Sequence, residues 1–203
     1  MKKDFSRVNF GWWAFFKDTR PDVYEFGTSK AAAYDCPSTM QANLYRFKLN
    51  PRTSDIFEVM RRWDDVRATG WLTEEQKVML RQADKEFTLI INEDGKYELI
   101  EYKQAKVGSG ENGLTAFVFE RNGKAYCTLW DDLGSSTLTL KALEGLSYTK
   151  EADTEPIAFS CDGSTASLPI SAKAYVSASV PLPELISALE NATAQRKDQL
   201  NGK

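Results

Sequence analysis

The chain has 203 residues, with 26 Lys and Arg against 29 Asp and Glu, a net charge of −3, and 42% hydrophobic residues. That composition can bury a core but gives too weak a field to track a phosphate backbone, so nucleic acid is not an expected partner. The complete absence of histidine excludes a Ser-His-Asp triad, a Cys-His pair and the usual His-containing zinc sites.

No Gly-rich phosphate loop or dinucleotide fingerprint is present. Gly108 to Gly113 lies between strand-like segments and reads as a loop, so no cofactor and no metal are expected. Cys36, Cys127 and Cys161 cannot all pair within one chain and have no close spacing, which makes buried free thiols the expectation. Met1-Lys2-Lys3-Asp4 lacks the apolar core of a signal peptide, and no apolar run is long enough to span a membrane. The chain as written therefore reads as cytoplasmic, or as one that starts inside a longer protein.

In chain order, Val8 to Trp13 is a compact apolar run expected to form a buried strand. Pro21 marks entry to a helix over Asp22–Tyr34, with Asp22 as N-cap and the small residues Ala31, Ala32 and Ala33 suited to close packing. Pro37 bars further helix, and the run to Phe47 reads as strand-compatible before an Asn50-Pro51 turn. Ile56, Val59, Met60 and Trp63 recur at helical spacing and predict an amphipathic helix over residues 53–68, ending before Gly70. Its Arg61, Arg62 and Arg67 alternate with Glu58, Asp64 and Asp65, the pattern of a solvated mixed-charge face. Thr73-Glu74-Glu75-Gln76 fits a capping box that starts another helix.

Helical patterning gives way to strand alternation near Asp84, which divides the chain into segments 1–83 and 84–203 with no long Pro- or Ser-rich linker. Asp94-Gly95 and Asn122-Gly123 each separate two alternating apolar runs and predict hairpins, the second of type I′. Further strands are expected at Thr137–Leu140, Leu146–Thr149, Ile157–Cys161, Ala166–Ile170 and Ala174–Ala178, with a turn at Asp162-Gly163. So many short strands predict an antiparallel sandwich. A terminal helix is expected over Pro183–Gln195, with Leu182, Leu185, Ile186 and Leu189 on one face.

The run PDVYEFGTSKAAAYDCPS, continuing through NPRTSDIFEVMRRWDDVRATGWLTEEQK, resembles the end of the catalytic barrel in a group of bacterial glycoside hydrolases. Those proteins finish in a small β-sandwich. The resemblance extends into that region through FVFERNGKAYCTLWDDLGSSTLTL and LPISAKAYVSASVPLPELISALENA. It implies a fold of α/β plus all-β type: the last two βα units of a (β/α)8 barrel, followed by an antiparallel β-sandwich with a C-terminal helix. Where the resembling proteins often have Arg and Trp, this chain has Lys30 and Tyr34, and Phe87 and Thr88 stand where a His is common. No specific substrate is carried over.

A full barrel takes about 250 residues, so two βα units cannot close one. The resemblance implies an incomplete barrel with an unpaired strand edge, which would associate with an upstream barrel segment or with itself. Glycoside hydrolysis ordinarily needs two carboxyl groups flanking the scissile bond, and barrels hold them at the C-terminal ends of strands. The ends available here, after Trp12 and near Thr39 to Asn43, show no obvious acid. Asp18 and Asp22 follow in a loop, Asp35 precedes the second strand on the opposite face, and Glu25 lies within a helix, where a solvent-facing or ion-paired role is expected. The pairs Asp64-Asp65 and Asp131-Asp132 read as helix-surface and turn residues.

No catalytic residue is therefore assigned. Trp12 and Trp13 are candidates for stacking on a pyranose face, with core packing as the competing role, and Gln41 and Asn43 could line the mouth through their amides or satisfy loop backbone. On the sandwich, Tyr126 and Trp130 alternate with Cys127 and Leu129, so one pair is expected to face the core. Two functions remain open. One is the C-terminal portion of a glycoside hydrolase-like protein whose catalytic carboxylates lie elsewhere. The other is a freestanding, non-catalytic sandwich module that binds carbohydrate or protein.

Overall fold

In the computed structural model, residues 9–110 and 113–196 are described. The expected strand start at Val8, the Met1–Asp4 stretch, and Glu111 and Asn112 of the Gly108–Gly113 loop lie outside them. The fold is mixed α/β with two antiparallel sheets. It divides into two compact units, Met1–Leu89 and Ile90–Lys203, so the division runs through a strand, Glu86–Ile91.

The first unit opens with β1 (Trp12–Ala14), α1 (Pro21–Ala33) and β2 (Thr39–Gln41). β1 and β2 pair in parallel, Trp12 opposite Thr39 and Ala14 opposite Gln41, and such a pair requires a crossover, which α1 supplies. Arg20, not Asp22, is the N-cap of α1, because Pro21 already occupies the first helical position. Asp22 sits in the first turn and pairs with Arg20 at 2.7 Å.

The run expected to remain strand-like to Phe47 instead forms α2 (Leu44–Leu49). Asn43 accepts a bond from the Arg46 backbone N–H at 3.0 Å, and that cap starts a helix in a sequence whose Leu, Tyr and Phe content equally suits a strand. α3 (Thr53–Ala68) spans the expected helix and buries Ile56, Val59 and Trp63, with Met60 half-buried. α4 (Glu74–Leu80) carries the full Thr73–Gln76 capping box.

Two contacts hold this unit together. The Trp13 indole lies so close to α1 that a methyl group at Gly27 would stand 2.6 Å from its Cζ2, which explains a glycine inside a helix. Lys30 is buried, and its ammonium donates to the carbonyls of Leu80 at 2.6 Å, Gln82 at 2.6 Å and Lys85 at 3.1 Å. It thereby ties α1 to the C-terminal end of α4, where a cation is favoured. Burial lowers the Lys30 pKa, with Glu86 and Asp84 opposing.

After β3 (Glu86–Ile91), through which the division runs, the second unit is built from β4 (Tyr97–Ala105), β5 (Leu114–Arg121), β6 (Lys124–Asp131), β7 (Ser136–Lys141), β8 (Ser147–Thr149), β9 (Ser160–Cys161), β10 (Thr165–Ile170), β11 (Ala174–Ala178), α5 (Leu182–Glu190) and β12 (Thr193–Arg196). The six-stranded sheet has the order β3-β4-β5-β6-β11-β8, and the four-stranded sheet β12-β7-β10-β9. Both sheets and α5 contribute to one apolar cluster that includes Ala116, Cys127, Leu129, Leu138, Leu168, Val176 and Leu185, an arrangement compatible with the expected sandwich.

Asn122 and Gly123 both have positive φ, 51° and 72°, as a type I′ turn requires. The Asp94-Gly95 hairpin uses a longer loop closed between Asn92 and Lys96, with positive φ at Gly95 alone. Three expectations are corrected. α5 ends at Glu190 because the Asn191 amide turns back onto the Ser187 carbonyl at 2.8 Å, and Thr193–Arg196 becomes β12, paired with β7. Only Ser160–Cys161 of the expected Ile157–Cys161 strand pairs with β10, which leaves Cys161 exposed. β6 is buried on both faces, with Tyr126 and Trp130 in a second cluster beside Phe117, Phe119 and Tyr175. Among the described residues no helix is long and apolar enough to cross a membrane.

Gly27→Ala should lower stability by about 1–2 kcal/mol in urea unfolding, although Ala normally gains about 1 kcal/mol over Gly in a helix interior. In a Trp13→Ala background the same change should become neutral or stabilising. Lys30→Met should cost about 2–3 kcal/mol by the same measurement, because it strands carbonyls that now accept from a charged donor.

Candidate functional site

The C-terminal ends of β1 and β2 lie side by side because the strands are parallel, and an open concavity of about 430 Å³ lies there. Ala14, Phe16, Gln41, Ala42, Asn43 and Arg46 line it. Ligands of open α/β folds sit beyond the carboxyl ends of parallel strands, where loops diverge and backbone groups are unpaired.

Local bonds set its rim. The Phe15 N–H donates to the Gln41 carbonyl at 3.0 Å, which extends the pairing one residue past β1. The Asn50 amide donates to the carbonyls of Phe16 at 3.0 Å and Thr19 at 2.8 Å, and so pins the loop that follows β1. Arg46 Nη1 donates to the Phe15 carbonyl at 3.1 Å, and its guanidinium lies 4.6 Å from the centre of the Phe16 ring. Sequence reasoning passes over Arg46 and treats Asn50 only as part of a turn. Position 46 falls three residues after the Asn43 cap, a spacing that becomes meaningful only once α2 is known to be a helix.

The four residues singled out for substrate contact separate into different roles. Trp12 is 71% exposed and, with Ala14, Thr39 and Gln41, occupies the open face of the β1–β2 pair, although it does not line the concavity. Trp13 points the other way, onto Gly27 of α1, and its buried Nε1 has no hydrogen-bond partner among the described residues. It is a packing residue. Gln41 is exposed and borders the concavity, with its side-chain amide unengaged among the described residues. Asn43 borders it too, but its side-chain oxygen caps α2.

Among the described residues no carboxylate lines this concavity. Asp18 is exposed in the following loop, and Asp35, with φ of 53°, pairs with Lys77 at 2.9 Å. Glu25, expected to be solvent-facing or ion-paired, is buried, which removes the first of these roles, and it accepts from the Trp63 indole at 2.5 Å. Asp64 pairs with Arg67 and Asp65 lies 3.9 Å from Arg61, so they do not act as a dyad. Asp131 is fully buried and accepts from Arg196, whereas Asp132 accepts from Trp130 and Thr115.

Two carboxylates do converge in the second unit. Arg121 donates to Glu98 through Nε at 2.7 Å and Nη2 at 2.9 Å, and to Asp153 through Nη1 at 2.7 Å and Nη2 at 2.6 Å. The guanidinium holds both acids below the usual carboxylate range, and they in turn raise its own pKa. A glycosidic general acid must keep its proton near neutrality, which calls for a shift in the opposite direction. This cluster fastens the loop around Asp153 to β4 and β5.

Elsewhere the apparent functional signals resolve into structure. The Gly108 N–H donates to the Leu189 carbonyl at 2.9 Å, so this part of the glycine-rich loop caps α5. Cys127 is buried, and desolvation raises its pKa, which removes thiolate character. No family model and no curated protein matches the chain.

The lowered pKa values of Glu98 and Asp153 contribute stability that is present above their ordinary values of 4.5 and 3.8 and is lost as pH falls through the depressed folded-state values. Thermal unfolding followed from pH 6 downward should show that acid loss, and Arg121→Met should flatten it while lowering stability at neutral pH.

Proposed function

We propose that the chain is the C-terminal portion of a glycoside hydrolase-like protein, that it processes carbohydrate only as part of the intact parent, and that by itself it is not catalytic. One observation carries this reading. The parallel β1–β2 pair presents a ligand-sized concavity at its C-terminal ends, lined by aromatic, amide and guanidinium groups but, among the described residues, by no carboxylate.

Three further features support it. With the short α2 read as part of the loop after β2, the succession β1, α1, β2, α2, α3 has the order of two βα units of an incomplete (β/α)8 barrel. Neither outer edge of the β1–β2 pair has a partner strand among the described residues. Trp12, Leu44 and Tyr45 are 71%, 77% and 68% exposed, apolar surface of the kind that upstream barrel strands or self-association would cover. The alternative, a freestanding module binding through an aromatic row on the sandwich, loses its main support because Tyr126 and Trp130 are buried.

Purified chain should not release nitrophenol from a panel of nitrophenyl glycosides. The DNA preceding the Met1 codon, translated in all three frames, should encode further βα units with paired acids. Robust turnover by the isolated chain would overturn the reading, as would unrelated sequence upstream.

A further inference from the structure

We infer that the concavity at the ends of β1 and β2 recognises a saccharide bearing a carboxylate, such as a uronic acid, and that Arg46 is the residue that selects it; this rests on the carbohydrate reading above. The argument begins with how the arginines are used. Arg20, Arg52, Arg61, Arg62, Arg67, Arg121 and Arg196 each pair with a carboxylate. Arg81 directs both Nε and Nη2 at the Ala33 carbonyl, at 3.1 and 2.6 Å. Arg46, like Arg81, has no carboxylate partner among the described residues, but it alone among the described arginines commits only one nitrogen, Nη1, to the Phe15 carbonyl.

That single bond and the Phe16 ring fix the plane of the guanidinium in advance. With Nη1 engaged, Nε and Nη2 form an unpaired edge with two parallel N–H groups, the geometry that grips a carboxylate bidentately. Arg46 is also the only charged side chain lining the concavity among the described residues, and no described acid there neutralises it. Gln41 borders the same space with an unengaged amide that suits a sugar hydroxyl. The exposed Phe16 ring offers a stacking surface beside them. A neutral sugar would use the amide and the ring but leave the guanidinium edge without an acceptor.

The test uses the full 203-residue chain labelled with ¹⁵N, titrated with methyl glucuronide, methyl glucoside, glucose 6-sulfate and acetate while the Arg46 Nε–H and Gln41 side-chain amide resonances are followed. Methyl glucuronide should move both resonances at a concentration at least about tenfold lower than methyl glucoside, the factor that one charge-assisted bidentate contact supplies. Arg46→Met, which keeps the aliphatic stem over Phe16, should abolish that preference, and Arg46→Lys should retain part of it. Gln41→Ala, on the opposite wall, should weaken both sugars and leave the preference intact.

Equal response to glucuronide and glucoside overturns the role of Arg46 while leaving the carbohydrate reading in place. Equal response to acetate and glucuronide, with none to glucoside, identifies a simple anion site and overturns the saccharide reading. Stronger response to the sulfate than to the glucuronide overturns the carboxylate assignment, and no response to any ligand overturns both proposals.

Discussion

The candidate site depends on one constraint: two strands that run parallel need a crossover, and the crossover must pack on them closely. α1 meets that demand at Gly27, where the Trp13 indole occupies the space of a side chain. Because the pairing is parallel, the C-terminal ends of β1 and β2 fall at one edge and their following loops open onto a shared concavity. An antiparallel pair would have placed Phe16 and Asn43 at opposite ends.

Aromatic packing then sets the rim. Phe15, fully buried, meets Tyr24 of α1 and Phe47 of α2, and Phe47 meets Phe57 of α3. The Tyr24 hydroxyl donates to the Trp13 carbonyl at 2.9 Å, and burial pushes its pKa up to about 12, so it stays a donor at any physiological pH. Those contacts hold the backbone whose Phe15 and Phe16 carbonyls receive Arg46 and Asn50. Arg46 and Asn50 are therefore anchored on packed backbone even though the lining of the concavity is open to solvent.

Charge is handled differently inside and outside. Glu58 is held down to about 2, chiefly by Arg61 and then Arg62, yet it is partly exposed, so solvent screening limits what that pair contributes. Lys30 and Arg121 are buried and fully engaged; removing Lys30 would leave three backbone carbonyls without their charged donor, and removing Arg121 would leave the partly exposed Glu98 and Asp153 without theirs. Arg46 differs from both, since only its Nη1 is engaged, by the Phe15 carbonyl, and it lines a concavity.

Much of the chain is legible from local chemistry. The capping box at Thr73, the helix over residues 53–68 and the Asn122-Gly123 turn each depend on residues within four positions of one another, so their spacing along the chain is enough to predict them. The candidate site is legible only in part. Gln41 and Asn43 stand near the end of β2, where their place after Pro37 puts them, but Asn43 is a helix cap, and Arg46 and Asn50 act on carbonyls about thirty residues away. Glu25 escapes sequence reasoning for the same reason, since its partner Trp63 lies on another helix. Period-two alternation along β6 tells which side chains share a face, but whether one face or both are covered depends on what packs on each. Residue order is thus sufficient for the elements that close through short-range bonds. Which polar groups find partners, and which, like the Arg46 fork, face a ligand-sized space, depends on contacts between residues far apart in the chain, and only folding brings those together.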